Sequence, residues 1–164
     1  MNLAHVHLML NHIPIVGIPI ALAFLVYGIY AKNQPSQRFA LLVLFGLAVM
    51  VLPVYFTGEP AEEVVEHLPG VAESFIEAHE DAAMFSLVLT LITGAAAFIA
   101  LWFQRDQKKS RLMNFGVMGA ACLAVASLLY TANLGGKVRH TEFSSGVAIQ
   151  SGADVNAEKD EDND

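Results

Sequence analysis

Six histidines carry whatever chemistry this chain performs: His5, His7, His12, His67, His79 and His140. A neutral imidazole offers a nitrogen lone pair to haem iron or to a transition metal. His5 and His12 are seven residues apart, two helical turns, and share a face. His7 lies about 140° round from His12 at 100° per residue. Between residues 58 and 81, Val64, Leu68, Val71 and Phe75 recur at the spacing of an amphipathic helix, and His79 continues that stripe. His12 and His79 are therefore expected to face each other as the axial ligands of a b-type haem. His7 and His140 are expected to form a second pair, for a second haem or a separate metal site. His5 reads as an interfacial residue of a frayed terminus and His67, beside Glu66, as a solvated surface group.

Two other readings stand beside one or two haems b. A non-haem zinc, copper or iron site is open to the same imidazoles with Glu62, Glu66, Glu80 and Asp81 nearby, and Met9 adds a weak hint of copper. A structural accessory subunit of a membrane complex needs no ligand at all. No independent enzyme is expected. Cys122 is the single cysteine, there is no C-x-x-C-H for covalent haem, and no nucleophile motif or phosphate-binding glycine loop occurs.

The elements that position these residues follow from composition. The 164 residues are 55% hydrophobic and only 15% charged, with a mean hydropathy of +0.50. Four stretches, 13–31, 39–57, 82–104 and 113–133, hold no Lys, Arg, Asp or Glu. Each is about the 20 residues that cross a bilayer as a helix. The expected fold is an all-α membrane protein, a four-helix up-down bundle with an amphipathic helical connector between its second and third spans. Residues 1–145 form the membrane domain, and residues 146–164 form an acidic, disordered tail.

Loop charge sets the expected orientation. Lys32 and Arg38 follow the first span, and Arg105, Lys108, Lys109 and Arg111 follow the third. The 58–81 connector has eight acids and no base. Basic short loops stay on the cytoplasmic side, so both termini and all six histidines are expected on the outer face of a bacterial inner membrane. Lys137 and Arg139 past the fourth span are outvoted by the two basic loops. Tyr27, Tyr30 and Trp102 then fall at the inner boundary, with Tyr55 and Tyr130 at the outer one. With no histidine on the inner side, electrons have no haem-ligated route across. The expected partners are the lipid bilayer and a redox protein or a quinone, in a homo-oligomer or a membrane complex. Nucleic acid is not expected at a net charge of −7. Two stripes of small residues, Ala83, Ser86, Thr90, Thr93, Ala97 and Gly116, Ala120, Ala124, Ser127, either bring helices close together or leave room for a flat cofactor.

The stretch HLMLNHIPI, from His7 to Ile15, resembles the opening motif of a bacterial family of small four-span membrane proteins whose activity is not established. There the motif reads His-Pro, a few apolar residues, His, an aromatic, Pro, then Ile or Leu. The family has a lone histidine opening its third span, matched by His79 in EAHEDAA. It also has Gly-Gly, a basic residue and a histidine after the fourth, matched by LGGKVRH and so His140. The resemblance covers roughly residues 3 to 145. This chain has Leu8 where the family usually has proline and Asn11 where it usually has an apolar residue. The resemblance implies a four-helix membrane fold and four matched histidines, His7, His12, His79 and His140.

Overall fold

The computed structural model describes residues 3–65 and 73–139. It consists of α1 (Leu3–Tyr30), α2 (Gln34–Phe56), α3 (Gly58–Val65), α4 (Glu73–Trp102) and α5 (Gln107–Arg139), with no strand among the described residues. Four of these segments are long and apolar enough to span a membrane: His5–Tyr30, Gln34–Glu63, Ser74–Trp102 and Gln107–Lys137. They begin earlier than the charge-free stretches, because the flanking polar residues are helical too. Backbone hydrogen bonds satisfied within each helix are what a bilayer demands. The acidic tail, and the Leu68 and Val71 positions of the connector stripe, lie outside the described residues.

Each of the four long helices packs on two of the others, α1 on α2 and α5, and α4 on α2 and α5, while the short α3 lies against α1 and the end of α2. The result is a square bundle. The core is small and aliphatic, with Ile18, Leu25, Leu41, Leu44, Ala97, Ala100, Val117 and Ala121 nearly solvent-free. Large side chains such as Phe24, Phe45, Phe85, Ile99, Leu112 and Leu123 point outward. In lipid this arrangement has no hydrophobic penalty, and helix association rests on close packing instead.

Local sequence sets the ends of the helices. Pro14 and Pro19 do not interrupt α1, although a kink or an irregular first turn is expected from them; neighbouring helices in membranes tolerate such prolines. Lys32, at φ 54°, turns the chain out of α1. Asn33 caps α2 by accepting from Ser36 N–H at 3.0 Å. Gly28 allows the tight return, since a Cβ there would sit 2.8 Å from the Gln37 backbone nitrogen. At the other inter-helix turn of this end, the Asp106 carboxylate accepts from the Lys108 and Lys109 N–H groups at 3.0 and 3.2 Å and so caps α5.

The inward face of α4 runs Ile76, His79, Ala83, Ser86, Thr90, Thr93, Ala97 and Ala100, alternating three and four residues; Ser86, Thr90 and Thr93 are almost completely buried. The stripe enters this face at Ile76, while Phe75 is half-buried beside it. Below the polar residues the small side chains are used for contact. A Cβ on Gly94 would stand 2.2 Å from the Ala48 Cβ of α2. That closes the deep part of the stripe as room for a flat cofactor. Of the second stripe, Ala124 and Ser127 are buried, Ala120 is half-buried and Gly116 is turned out. Gly116 is exposed with open space around it, and α5 turns Asn114, Val117, Ala121, Ala124 and Leu128 inward. Small residues occupy two faces of α5, and burying Asn114 among polar partners selects between them.

Candidate functional site

The histidine end of the bundle is built where α2 stops and α4 and α5 run on. The last carbonyls of any helix lack an intrahelical N–H, and Val54 lies in the final turn of α2. His7 of α1 meets that need, with Nδ1 3.1 Å from the Val54 carbonyl oxygen and 3.2 Å from Thr57 Oγ1. A carbonyl only accepts, so Nδ1 carries the proton. The Thr57 hydroxyl lies 2.8 Å from the Val54 oxygen and 3.0 Å from the Pro53 oxygen, donates towards them, and keeps a lone pair for His7.

His79 of α4 is held in the same way from the other side. Its Nδ1 lies 3.0 Å from the Thr131 carbonyl of α5 and donates to it. The approach depends on Gly135, where a Cβ would stand 3.0 Å from His79 Cε1 and 3.2 Å from Nδ1. The Gly135-Gly136 pair does not break α5. The helix continues through both to Arg139, and Gly135 makes room for an imidazole. Thr131 Oγ1 donates to the Ser127 carbonyl at 3.0 Å and meets Ser86 Oγ at 2.8 Å, tying α4 to α5 below the ring.

Each ring thus carries a proton on Nδ1, and in its neutral form leaves Nε2 as the lone-pair nitrogen. His7 and His79 are half-buried and lie within electrostatic reach of each other. Beneath them, Asn11 Oδ1 and Thr90 Oγ1 are buried without a hydrogen-bond partner among the described residues. Asn11 follows His7 by one turn and Thr90 follows Ser86 by one turn.

The structure turns His7 rather than His12 into the bundle. His12 is exposed, and its Nδ1 bonds to the Leu8 carbonyl of its own helix. The rotation of about 140° between positions 7 and 12 lets only one of them enter the bundle, and the end of α2 takes His7. His79, half-buried on the α5 side, and His7, half-buried on the α2 side, are the two histidines turned into this end of the bundle. His5 is exposed, as expected of an interfacial residue. His140, the expected companion of His7, and His67 lie outside the described residues. Among the described residues no three His, Cys, Asp or Glu side chains converge as a metal site.

The site residues missed by sequence reasoning are Thr57, Thr131 and Gly135. Thr57 ends the second apolar stretch and Thr131 sits near the end of the fourth, so a hydroxyl at each boundary was the available signal. A second polar cluster, at the opposite end, was also missed. Asn114 donates to Gln37 Oε1 at 2.8 Å and accepts from Gln104 Nε2 at 3.1 Å, while Gln34 Nε2 donates to the Gln104 carbonyl at 2.7 Å. It joins α2, α4 and α5 at the basic end.

Four apolar helices, a histidine in the first two turns of α1, and another opening the long helix α4 are now in place. A family model spans nearly all of this. The chain belongs to the family described as a predicted membrane protein, DUF2231, whose model matches residues 4–148. The DUF2231 match takes in all four bundle helices and His7, His12, His79 and His140, and leaves out residues 149–164. No curated protein and no solved structure matches the chain.

Proposed function

We propose that this DUF2231 protein binds b-type haem at the histidine end of its bundle, with His7 and His79 as the axial ligands. It would serve electron transfer or haem sensing at the outer face of a bacterial inner membrane. The observation that carries this reading is the matched tautomer of the two rings. Each donates Nδ1–H to a main-chain carbonyl, Val54 for His7 and Thr131 for His79. This outer-shell bond fixes the orientation of a ligating imidazole and raises the basicity of its other nitrogen. The apolar helices around the pair suit haem, and two imidazoles complete its axial set. A zinc or copper site would want a third or fourth donor.

The residues also limit where haem would sit. The Gly94–Ala48 contact fills the interior below Thr93, so the group belongs at the mouth, above the Ser86–Thr131 bond. Bound there, it supplies reversible one-electron chemistry, or its presence is the signal. His7 and His79 would hold it, and Val54, Thr57 and Thr131 hold the histidines. A redox protein or quinone would meet it from the outer side, with the basic loops facing the cytoplasm.

The test is an absorption spectrum of detergent-purified protein from haem-supplied cells, oxidised and then reduced with dithionite. Sharp reduced bands of bis-imidazole haem, lost in His79→Ala and His7→Ala but kept in His12→Ala, are the expected result. A featureless spectrum refutes haem. Metal analysis of the same sample then separates a zinc, copper or iron site from a structural subunit.

A further inference from the structure

The opposite end of the molecule carries a second feature, which the haem reading does not use. The turns between α1 and α2 and between α4 and α5 come together there, joined by the Gln34–Gln104 bond. Between them opens a cleft of about 590 Å³, lined by Gln34, Arg38, Trp102, Gln104, Arg105 and Gln107 along with Leu101. No acidic side chain lines it. Asp106, the acid in the adjoining turn, is engaged by the α5 N–H groups and by Lys109 at 3.8 Å. The Lys109 ammonium also lies over the Phe103 ring, and the Arg111 guanidinium lies over Phe115. Arg38, near the start of α2, and Arg105, in the turn between α4 and α5, are exposed and line the cleft.

Two guanidinium groups converging without a carboxylate suit a phosphate, which they can hold through paired N–H bonds. The depth of the cleft selects the source of that phosphate. It lies where two membrane helices leave the apolar stretch, and Trp102, 76% exposed at its rim, is the kind of residue that sits at headgroup level. Gln104, only 3% exposed, supplies an independent sign. Its Oε1 is buried with no hydrogen-bond partner among the described residues, while its Nε2 is turned to Asn114. A headgroup with a hydroxyl beyond its phosphate brings the donor that this oxygen lacks. We infer that the cleft formed by Arg38, Trp102, Gln104 and Arg105 seats the headgroup of an anionic phospholipid, of the phosphatidylglycerol type. It would anchor the basic end of the bundle in its leaflet.

The experiment is native mass spectrometry of the full chain released from detergent, titrated with phosphatidylglycerol, phosphatidylcholine or glycerol 3-phosphate. Phosphatidylglycerol is expected to be retained in preference to phosphatidylcholine, and glycerol 3-phosphate at equal concentration is expected not to displace it. Arg38→Gln with Arg105→Gln should weaken phosphatidylglycerol binding by about 30-fold, from about fivefold for each surface cation. Lys108→Gln with Lys109→Gln removes the same charge from outside the cleft and should change binding by less than about threefold. Far-ultraviolet circular dichroism checks that each variant is as helical as the wild type. Three results overturn the inference: equal retention of phosphatidylcholine, equal loss in the two double variants, or displacement by glycerol 3-phosphate, which would make free phosphate esters the ligand.

Discussion

Gly135→Ala and Gly136→Ala make the same chemical change at adjacent positions, and the structure assigns them opposite consequences. In a helix, alanine for glycine is worth up to about 1 kcal/mol of stability. At position 136 nothing lies within 4 Å of the added Cβ, so that gain should appear undiminished. At position 135 the Cβ would meet His79 Cε1 at 3.0 Å and Nδ1 at 3.2 Å. Carbon contacts are comfortable only from about 3.5 Å, so the ring must retreat by about half an ångström. The His79–Thr131 bond, now 3.0 Å, would then pass the roughly 3.2 Å limit of good N–H···O geometry. Losing it costs about 1 kcal/mol. Gly135→Ala should thus be near neutral or destabilising, and the two variants should differ by about 1–2 kcal/mol.

Reversible unfolding in mixed detergent micelles, followed by far-ultraviolet circular dichroism, measures that difference. Nitrogen-15 spectra of the histidine ring report directly whether Nδ1 still carries the bonded proton. If the variants are stabilised equally and the His79 Nδ1–H bond persists in both, then the glycine does not serve the ring and the reasoning is wrong. Under the haem reading, the reduced absorption bands should weaken in Gly135→Ala alone.

Other perturbations test the remaining parts. Gly94→Ala places a Cβ 2.2 Å from that of Ala48 and should cost about 1–3 kcal/mol as α2 and α4 are forced apart. Adding Ala48→Gly should restore most of the loss, because the next contacts, at 3.7 and 3.8 Å, are ordinary. Asn114→Leu breaks the bonds to Gln37 and Gln104 and should cost about 1 kcal/mol at typical interhelical values, with a double-mutant cycle against Gln37→Leu showing coupling. Haem or metal loading should fall on acidification, because protons compete for the neutral Nε2 that ligates; a pH titration of the reduced absorption bands measures it, and loading that rises towards acid would exclude imidazole ligation.

The two ends of the molecule show how much of this was legible in residue order. Four helices follow from apolar runs without charge, because a bilayer accepts no other arrangement of so many unsolvated peptide groups. The position of His79 at the head of the third span was equally readable. Which histidine of α1 turns inward was not. α1 is apolar on almost every side, so periodicity marks no inward face, and His7 and His12 compete on equal terms until a partner exists. The partner is the Val54 carbonyl in the last turn of α2, 47 residues away in sequence. Gly135 likewise reads as a place for the chain to bend until α4 is set beside it. Composition determined that four helices span and which stretch lies at the heart of each. Their rotation about their own axes, and with it the inward turn of His7 rather than His12, was decided by hydrogen-bond and packing demands that exist only once the helices touch.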